Sequence, residues 1–256
     1  MIGRLTGKVA LISGTGGGIG RAAARRFAAE GAFVVGTDIN PDAGNETADL
    51  IERDGNTMLS VPPQDLSTQA GARAWISAAL EAHGGIDILY NNAGGTRFAP
   101  FADMTTEDYR FTIHNELDVT WHCTQAAWPH LVARGGGSVV NCGSIAGING
   151  SRHLPQAAHV AAKGAIIALT RQLAAEGAVV NIRVNSVSPG LIASPAVVQL
   201  LADAPQLVMS MVEHTYNQRP GDPSEVASAA LFLASDESSY LSGANLMVDA
   251  GATVLI

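Results

Sequence analysis

The sequence predicts an α/β fold in which a doubly wound parallel sheet carries helices on both of its faces. Three observations support this prediction. Short apolar runs typical of strands alternate with longer helical segments along the 256 residues. A glycine-rich turn joins the first strand to the first helix. No linker, internal repeat or low-complexity segment interrupts the pattern, so residues 1–256 are predicted to form a single domain.

Seven short apolar runs are the predicted strands. Their consecutive apolar residues are typical of parallel strands that are covered on both faces. Several of them end at Gly, Pro, Asn or Asp, residue types that favour turns. The predicted strands are 9–12, 33–37, 57–61, 86–90, 138–142, 182–187 and 245–249.

Longer segments with helical periodicity separate these strands. The predicted helices are 21–28, 40–53, 68–83, 106–133, 155–176 and 223–235. The stretch 204–218 is predicted to be a mobile excursion within a substrate lid at about 191–220. Its apolar residues form either a lid over an apolar substrate or the buried face of lid helices. They are Leu200, Leu201, Leu207, Val208, Met209 and Met211.

The glycine-rich turn predicts a dinucleotide-binding site. Gly14, Gly18 and Gly20 have the spacing G-x-x-x-G-x-G, and Ile19 lies between the last two. Glycine allows unusual backbone angles and lets the main chain approach a phosphate closely. The free N–H groups at the start of the following helix then attract a pyrophosphate. The alternative is a purely structural turn between strand and helix.

Asp38 ends the second predicted strand, at the distance downstream where a carboxylate accepts hydrogen bonds from an adenosine ribose. Neither the glycine turn nor Ile39 and Asn40 provides an Arg or Lys for the 2′-phosphate of NADP. The sequence therefore favours NAD as the cofactor. The alternative is that Asp38 simply opens a loop.

Composition excludes several classes of function. The net charge of −8 is unfavourable for a nucleic-acid surface, so no nucleic-acid partner is expected. The two cysteines, Cys123 and Cys142, form no C-x-x-C pair, so neither a disulfide framework nor a metal site is expected. The N-terminus lacks the pattern of a signal peptide and no apolar run reaches membrane-spanning length. We therefore expect a cytoplasmic protein with no membrane partner.

In a doubly wound sheet, ligands bind in a crevice beyond the carboxyl ends of the strands. Polar and glycine residues follow several of the predicted strands. They are Gly14 to Gly20, Asp38, Asp65, Asn91 to Gly94, Ser144, and Pro189 with Gly190. We expect these residues to converge on one site.

Over essentially its full length the chain resembles the short-chain dehydrogenase/reductase family. The resemblance depends on an ordered set of signatures: the glycine turn, Asp65-Leu66, Asn91-Asn92-Ala93-Gly94, Gly143-Ser144, Lys163-Gly164-Ala165, Arg183-Val184-Asn185, Ser188-Pro189-Gly190 and Val248-Asp249-Ala250-Gly251. It implies a Rossmann-type fold and hydride exchange between a nicotinamide cofactor and a small-molecule secondary alcohol or ketone. It also implies a homo-oligomer, a dimer or a homotetramer, packed through the long helices.

The resemblance implies roles for individual residues. Asp65 would contact adenine, the backbone around Ile192 with Ser194 would hold the nicotinamide carboxamide, and Ser144 would hydrogen-bond the substrate oxygen. Lys163 would bind the nicotinamide ribose. The other expected cofactor contacts are Gly14, Gly18, Ile19, Gly20, Asp38, Leu66, Asn91, Asn92, Ala93, Gly94, Pro189 and Gly190.

Two positions depart from the family pattern. The family's tyrosine lies four residues before the lysine, and this position is His159; the family's helix asparagine falls on Glu116, with Asn115 one residue earlier. Residues four apart share a helix face, so His159 and Lys163 point the same way. The segment 144–159 is also slightly longer than is typical of the family, which allows a shift in position. A one-residue step turns a side chain by about 100°, so Asn115 does not replace the asparagine.

Histidine exchanges protons near neutral pH, since its ordinary pKa is about 6.5. We therefore expect His159 to be the general acid/base, although an imidazole reaches less far than a phenol. Glu116 is expected to pair with Lys163 or to pass protons to water. His153, in the predicted substrate loop, is a further candidate for substrate contact. The predicted function is an NAD-dependent oxidoreductase; the alternative is a catalytically degenerate dinucleotide-binding protein, either a sensor or a non-catalytic oligomer partner.

Overall fold

The computed structural model describes residues 3–152 and 154–255 and confirms the predicted fold class. Seven parallel strands form one sheet with the order β3-β2-β1-β4-β5-β6-β7. The strands are β1 (Val9–Ser13), β2 (Phe33–Thr37), β3 (Met58–Val61), β4 (Ile88–Asn91), β5 (Gly137–Cys142), β6 (Ile182–Pro189) and β7 (Asn245–Val248).

Nine α-helices lie within the described part of the chain. They are α1 (Gly18–Ala29), α2 (Pro41–Arg53), α3 (Gln69–His83), α4 (Thr106–Ile113), α5 (Val119–Ala133), α6 (Ala157–Gly177), α7 (Pro195–Asp203), α8 (Pro205–Val212) and α9 (Pro223–Ala234). Capping residues fix several helix starts. The side chains of Asn40 and Thr68 accept backbone N–H groups at the starts of α2 and α3.

The sheet separates two hydrophobic cores because successive strand residues point to opposite faces. In β1, Ala10 and Ile12 pack with residues of α1, α2 and α9, whereas Val9 and Leu11 pack with residues of α3, α5 and α6. All four β1 residues are at most 3% exposed. Helices therefore cover both faces, as the apolar runs in the sequence predict.

The long helix predicted at 106–133 is interrupted. A π-helical segment, His114–Asp118, separates α4 from α5. A π segment adds one residue to a helical turn, which rotates the residues around it relative to a continuous α-helix. Apolar periodicity does not reveal a single inserted residue, so the sequence pattern predicted one helix.

The excursion predicted at 204–218 is partly helical, and the helical region begins before it. Ser194 accepts a hydrogen bond from Val197 at the start of α7, and Pro195 and Pro205 occupy first-turn positions of α7 and α8. Val208 is fully buried whereas Met209 is 47% exposed, so the apolar residues here divide between the protein interior and the surface.

Among the residues that the structure describes, no single helix has the length and apolarity needed to cross a membrane. Helices α7 and α8 meet that requirement only as a pair, and the pair is bent by 117°.

Candidate active site

A cavity of about 480 Å³ opens at the carboxyl edge of the sheet, where β1 has β2 on one side and β4 on the other. This is the topological switch point at which doubly wound sheets bind ligands. The structure brings eleven of the predicted cofactor residues together in its wall. They are Gly14, Gly18, Ile19, Gly20, Asp38, Asp65, Leu66, Asn92, Ala93, Gly94 and Ser194.

The glycine turn fits a phosphate because side chains are excluded from it. Gly14 and Gly18 have φ angles of +73° and +49°, which glycine adopts readily. A Cβ on Gly14 would lie 2.9 Å from the Cα of Ala93, in the opposite wall. The first turn of α1 contains no acidic residue, and its N-cap, Gly17, has no side chain to bond the free N–H groups. These groups can therefore bind an anion.

Asp38 joins the glycine turn to the end of β2. Its Oδ2 accepts the Gly16 N–H at 2.7 Å and its Oδ1 accepts the Asn40 N–H at 2.9 Å. Neither Lys nor Arg is found among the described residues that line the cavity. Arg21 lies nearby in sequence, but its guanidinium is bound to the Gly16 carbonyl and to Glu46, each at 2.6 Å. The end of the cavity beside β2 thus carries a carboxylate, and no basic side chain is found among the described residues of its wall.

The segment after β4 closes the cavity from the other side. The amide of Asn92 donates to the carbonyls of Ser13 and Gly14, and the Ser13 hydroxyl accepts the N–H groups of Asn92 and Ala93. The prediction that Asn91 lines the cofactor is wrong, since its amide donates to Thr124 and Asn141 in the interior. It is the last residue of β4 and is only 1% exposed.

Most of the predicted residues near the end of β6 lie behind the cavity wall and not in it. Pro189, Gly190 and Ile192 are outside its wall, whereas Ser194 and the adjacent Pro195 are part of it. Ile192 is 7% exposed and forms a bridge with Gly221. A Cβ on Gly17 would lie 3.6 Å from the Cγ of Pro195, so the start of α7 lies against the glycine turn.

Lys163 and His159 lie on one face of α6, as their spacing predicts. The Lys163 ammonium donates to the Cys142 carbonyl at 2.9 Å, and Lys163 is only 6% exposed. A Cβ on Gly94 would lie 3.8 Å from both the Lys163 Nζ and the Glu116 Cγ. The three predicted residues His159, Lys163 and Glu116 therefore meet beside the Gly94 wall of the cavity.

One of the two roles expected for Glu116, pairing with Lys163, is wrong, whereas passing protons to water stays a prediction. Glu116 pairs with His159: Nδ1 of the imidazole lies 2.7 Å from Oε1 and 3.0 Å from Oε2 of the carboxylate. Because the π segment rotates the chain, Glu116 faces the interior and is 3% exposed. The amide of Asn115 donates back to the Phe111 carbonyl at 2.8 Å.

Ser144 follows β5, and its side chain caps the short 3₁₀ turn Ile145–Gly147. Its Oγ accepts the Ala146 N–H at 3.1 Å, so its own O–H remains available as a donor. This turn packs directly on α6, because a Cβ on Gly147 would lie 2.8 Å from the carbonyl carbon of Lys163. Ser144 and Lys163 are thereby held in adjacent elements.

Phe98 lies beside the imidazole but was not predicted as a site residue. The Phe98 ring lies edge-on to the His159 imidazole, with centroids 6.4 Å apart and planes at 70°, although Phe98 is 51% exposed. The sequence feature that could have indicated Phe98 is its position four residues after Gly94, in the loop that follows β4. His153 lies outside the described residues.

None of the buried nucleophiles near this cluster is an alternative acid or base. Burial raises the pKa of the Cys142 thiol, an effect that the Lys163 ammonium opposes. Burial also raises the pKa of Tyr90 well above its ordinary value, and its ring is stacked on Phe27 in the core. Both cysteines are free and buried. Neither Cys142 nor Tyr90 is thus suited to proton transfer near neutral pH.

Comparison with known proteins identifies the family. A family model described as enoyl-(acyl carrier protein) reductase matches residues 14–253. The chain is 37% identical over 258 residues to oxidoreductase UcpA of Escherichia coli (strain K12), covering 99% of this chain and 97% of UcpA.

Two solved structures are also similar. A 7α-hydroxysteroid dehydrogenase complexed with NADH and 7-oxo glycochenodeoxycholic acid superposes with a TM-score of 0.91 at 35% identity, covering 97% of this chain and 95% of that one. A short-chain type dehydrogenase/reductase from Mycobacterium marinum gives a TM-score of 0.92 at 31% identity, covering 98% and 97%. The fold, the glycine turn and these full-length matches show that the chain belongs to the short-chain dehydrogenase/reductase family of oxidoreductases.

Proposed function

We propose that this protein is an NAD(H)-dependent oxidoreductase that interconverts a secondary alcohol and a ketone, with His159 as the general acid/base. The observation that carries the proposal is the position of the imidazole. It lies on the same face of α6 as Lys163, and Nδ1 is bound by Glu116. Within the described residues Nε2 has no hydrogen-bond partner, so this nitrogen is available to the substrate.

The cavity fits a nicotinamide dinucleotide. The N–H groups at the start of α1 would hold the pyrophosphate, Asp38 the adenosine ribose, and Asp65 with Leu66 the adenine. Ser194 would contact the carboxamide end, with Ile192, Pro189 and Gly190 supporting it. When bound, the nicotinamide ring accepts or donates the hydride. The Asp38 carboxylate supports NAD over NADP, and the related 7α-hydroxysteroid dehydrogenase is complexed with NADH.

The chain's own residues would manage the substrate oxygen and its proton. The Ser144 O–H donates to the substrate oxygen and orients it. In the oxidising direction Nε2 of His159 takes the hydroxyl proton, and in the reducing direction the imidazolium returns it. Lys163 uses one of its three N–H donors on Cys142, which leaves two for the ribose hydroxyls. Its positive charge also stabilises negative charge that develops on the substrate oxygen.

Apolar side chains near this site support an apolar substrate. Phe98 contacts His159, and Ile148, the residue directly after the turn that Ser144 caps, is 54% exposed. In the lid region around 191–220, Val198 and Met209 are also about half exposed, at 54% and 47%. Steroid-type alcohols are one test class, since a 36% identical relative from Escherichia coli (strain K12) is a 7α-hydroxysteroid dehydrogenase.

The test is NADH formation by the purified protein over a panel of cyclic, aromatic, aliphatic and steroid secondary alcohols, with His159→Phe and His159→Tyr in parallel. We expect turnover by the unmodified protein and a loss of at least about 100-fold in His159→Phe, the usual contribution of a general base. NADH binding should be unchanged. If the unmodified protein binds NADH without turnover and only His159→Tyr is active, the chain is a degenerate dinucleotide-binding protein and our proposal is wrong.

A further inference from the structure

The two departures from the family pattern contact each other. His159 and Glu116 are 43 residues apart in sequence, yet Nδ1 lies within 3.0 Å of both carboxylate oxygens. Their side chains are 16% and 4% exposed. Another histidine–carboxylate pair, His114 with Asp118, forms in the same π segment at 2.6 Å, but its side chains are 58% and 31% exposed. A third pair among the described residues, His214 with Glu213, is exposed as well, so the Glu116 pair is the buried one of the three.

The contact determines which nitrogen carries the hydrogen. An ionised carboxylate only accepts hydrogen bonds, so Nδ1 must carry the hydrogen that Glu116 receives. In the neutral imidazole Nε2 is then the unprotonated nitrogen, which is the form that a base requires. The opposite tautomer would place the lone pair of Nδ1 against a buried negative charge.

The surroundings hold this arrangement on several sides. The Glu116 carbonyl accepts the Thr120 hydroxyl at 3.0 Å, which anchors the π segment to α5. The Phe98 ring packs edge-on against the imidazole. Among the described residues, the other titratable groups near the pair are the Lys163 ammonium, bound to the Cys142 carbonyl, and the Cys142 thiol itself. Within the same part of the chain, the carboxylate has one cation nearby and one direct hydrogen-bond donor, His159.

We propose that Glu116 is a positioning residue that holds His159 in the Nδ1–H tautomer and presents Nε2 as the base. Glu116 then stabilises the imidazolium that forms when Nε2 accepts a proton. The histidine and the glutamate are a coupled pair: the histidine depends on the carboxylate for its tautomer, and the buried carboxylate depends on the imidazole for its donor. This inference rests on the proposed function for its catalytic consequence, whereas the tautomer itself is independent of turnover.

The experiment compares Glu116→Gln with the matched control Asp118→Asn, which neutralises the exposed carboxylate of the neighbouring pair. Nitrogen-15 NMR of histidine-labelled protein reports the tautomer of His159, with the His159→Phe variant used to assign its signals. Steady-state kinetics across pH 5–9 report kcat and KM, and NADH fluorescence titration reports cofactor binding. Glu116→Asp provides a second variant that keeps the charge.

We expect the unmodified protein and Asp118→Asn to have a protonated Nδ1 and an unprotonated Nε2. A glutamine amide can donate as well as accept, so Glu116→Gln should populate the opposite tautomer. Its kcat should fall by about 100-fold or more with KM within about threefold, since loss of the orienting carboxylate in a serine protease triad costs about 10⁴ in kcat. The pH at which kcat reaches half of its maximum should also change in Glu116→Gln, whereas the affinity for NADH should not. Glu116→Asp should regain part of the lost kcat.

A protonated Nε2 in the unmodified protein, or a kcat of Glu116→Gln within about threefold of normal, would overturn the inference. If no alcohol is turned over but NADH binds, the proposed function fails while the NMR comparison still decides the positioning role. If Glu116→Gln does not fold, the spectra of the unmodified protein still decide it, since a protonated Nε2 there excludes the proposed tautomer. An unchanged tautomer in a folded Glu116→Gln also contradicts the proposal.

Discussion

Asp38 determines the charge at the adenosine end of the cavity. Both of its oxygens already accept backbone N–H groups, from Gly16 and Asn40. The remaining lone pairs can accept ribose hydroxyls, whereas a 2′-phosphate would be repelled. The carboxylate therefore contributes to cofactor choice through its position as well as its charge.

We predict that Asp38→Asn narrows the preference for NADH over NADPH by about tenfold. Removing the negative charge relieves a repulsion of about 1–2 kcal/mol on the 2′-phosphate near the protein surface. NADH itself should bind somewhat more weakly, because the amide nitrogen of asparagine cannot accept a backbone N–H. Fluorescence titrations with both cofactors measure this. The control is Asp42→Asn, which removes an exposed carboxylate from the first turn of α2 and should leave the ratio of NADH to NADPH affinity unchanged. If this ratio is also unchanged in Asp38→Asn, the prediction is wrong.

Single residues differ in how far the sequence alone locates them. The glycines, Asp38 and Lys163 were placed from the sequence because main-chain geometry, strand ends and helix spacing fix their positions. The partner of Glu116 was not, since it depends on side-chain directions across elements distant in sequence. Asn91 shows the same limit: it ends a strand beside the cavity, but the side chain turns into the interior.

Elements were predicted where their local signals are strong. Strand β2 has the predicted bounds, and α2 and α3 begin one residue after their predicted starts because Asn40 and Thr68 are caps. The π segment was missed because one inserted residue leaves no periodic signal. This omission matters for the site, since the segment turns Glu116 inward. The bounds of helices α7 and α8 were not predicted, and lid helices stayed one of two interpretations, because prolines at 195 and 205 suggest a loop as readily as two short helices.

We propose that the turn between β1 and α1 binds the pyrophosphate of the cofactor, and we predict that Gly14→Ala weakens NADH binding at least about tenfold. The φ angle of +73° strains an L-residue by about 1 kcal/mol or more. The new methyl group would also meet the Cα of Ala93 at 2.9 Å and displace the cavity wall.

Gly55→Ala provides the matched control for this substitution. Gly55 has a φ of +80°, and a Cβ there would meet no atom within 4 Å. It should lose a similar 1 kcal/mol or so of unfolding free energy with unchanged NADH affinity. Urea unfolding and NADH titration separate the two effects. Equal NADH affinities in both variants would show that the glycine turn does not hold the cofactor.

At the scale of the whole molecule, the site is built from residues on several strands and helices, which the two hydrophobic cores hold against the sheet. Each wall of the cavity is attached to a different part of the fold: the glycine turn to β1 and α1, Asp38 to β2, and the Asn92 segment to β4. Lys163 and His159 are carried by α6, and Ser144 by the end of β5. A ligand that bridges these elements should therefore stabilise the fold as one unit.

We also expect the chain to form a homodimer or homotetramer through its long helices. On α4 and α5, Tyr109 and Trp121 are 48% and 49% exposed, which leaves apolar area for such a contact. Light scattering coupled to size-exclusion chromatography measures the mass, and a monomer at micromolar concentration would contradict this expectation.

Cofactor binding should raise the melting temperature in a way that separates binding from catalysis. NADH at 100 times its Kd stabilises the folded state by about 2.7 kcal/mol, which for a chain of this size is a shift of about 5–10 °C. His159→Phe should keep the shift, because the imidazole contacts the substrate oxygen and not the phosphates. Gly14→Ala, with NADH binding at least about tenfold weaker, should lose about half of the shift or more at the same NADH concentration, if the glycine turn holds the pyrophosphate as we propose. Differential scanning fluorimetry measures all three proteins, and a shift lost in His159→Phe but kept in Gly14→Ala would reverse the roles assigned to the two ends of the cavity.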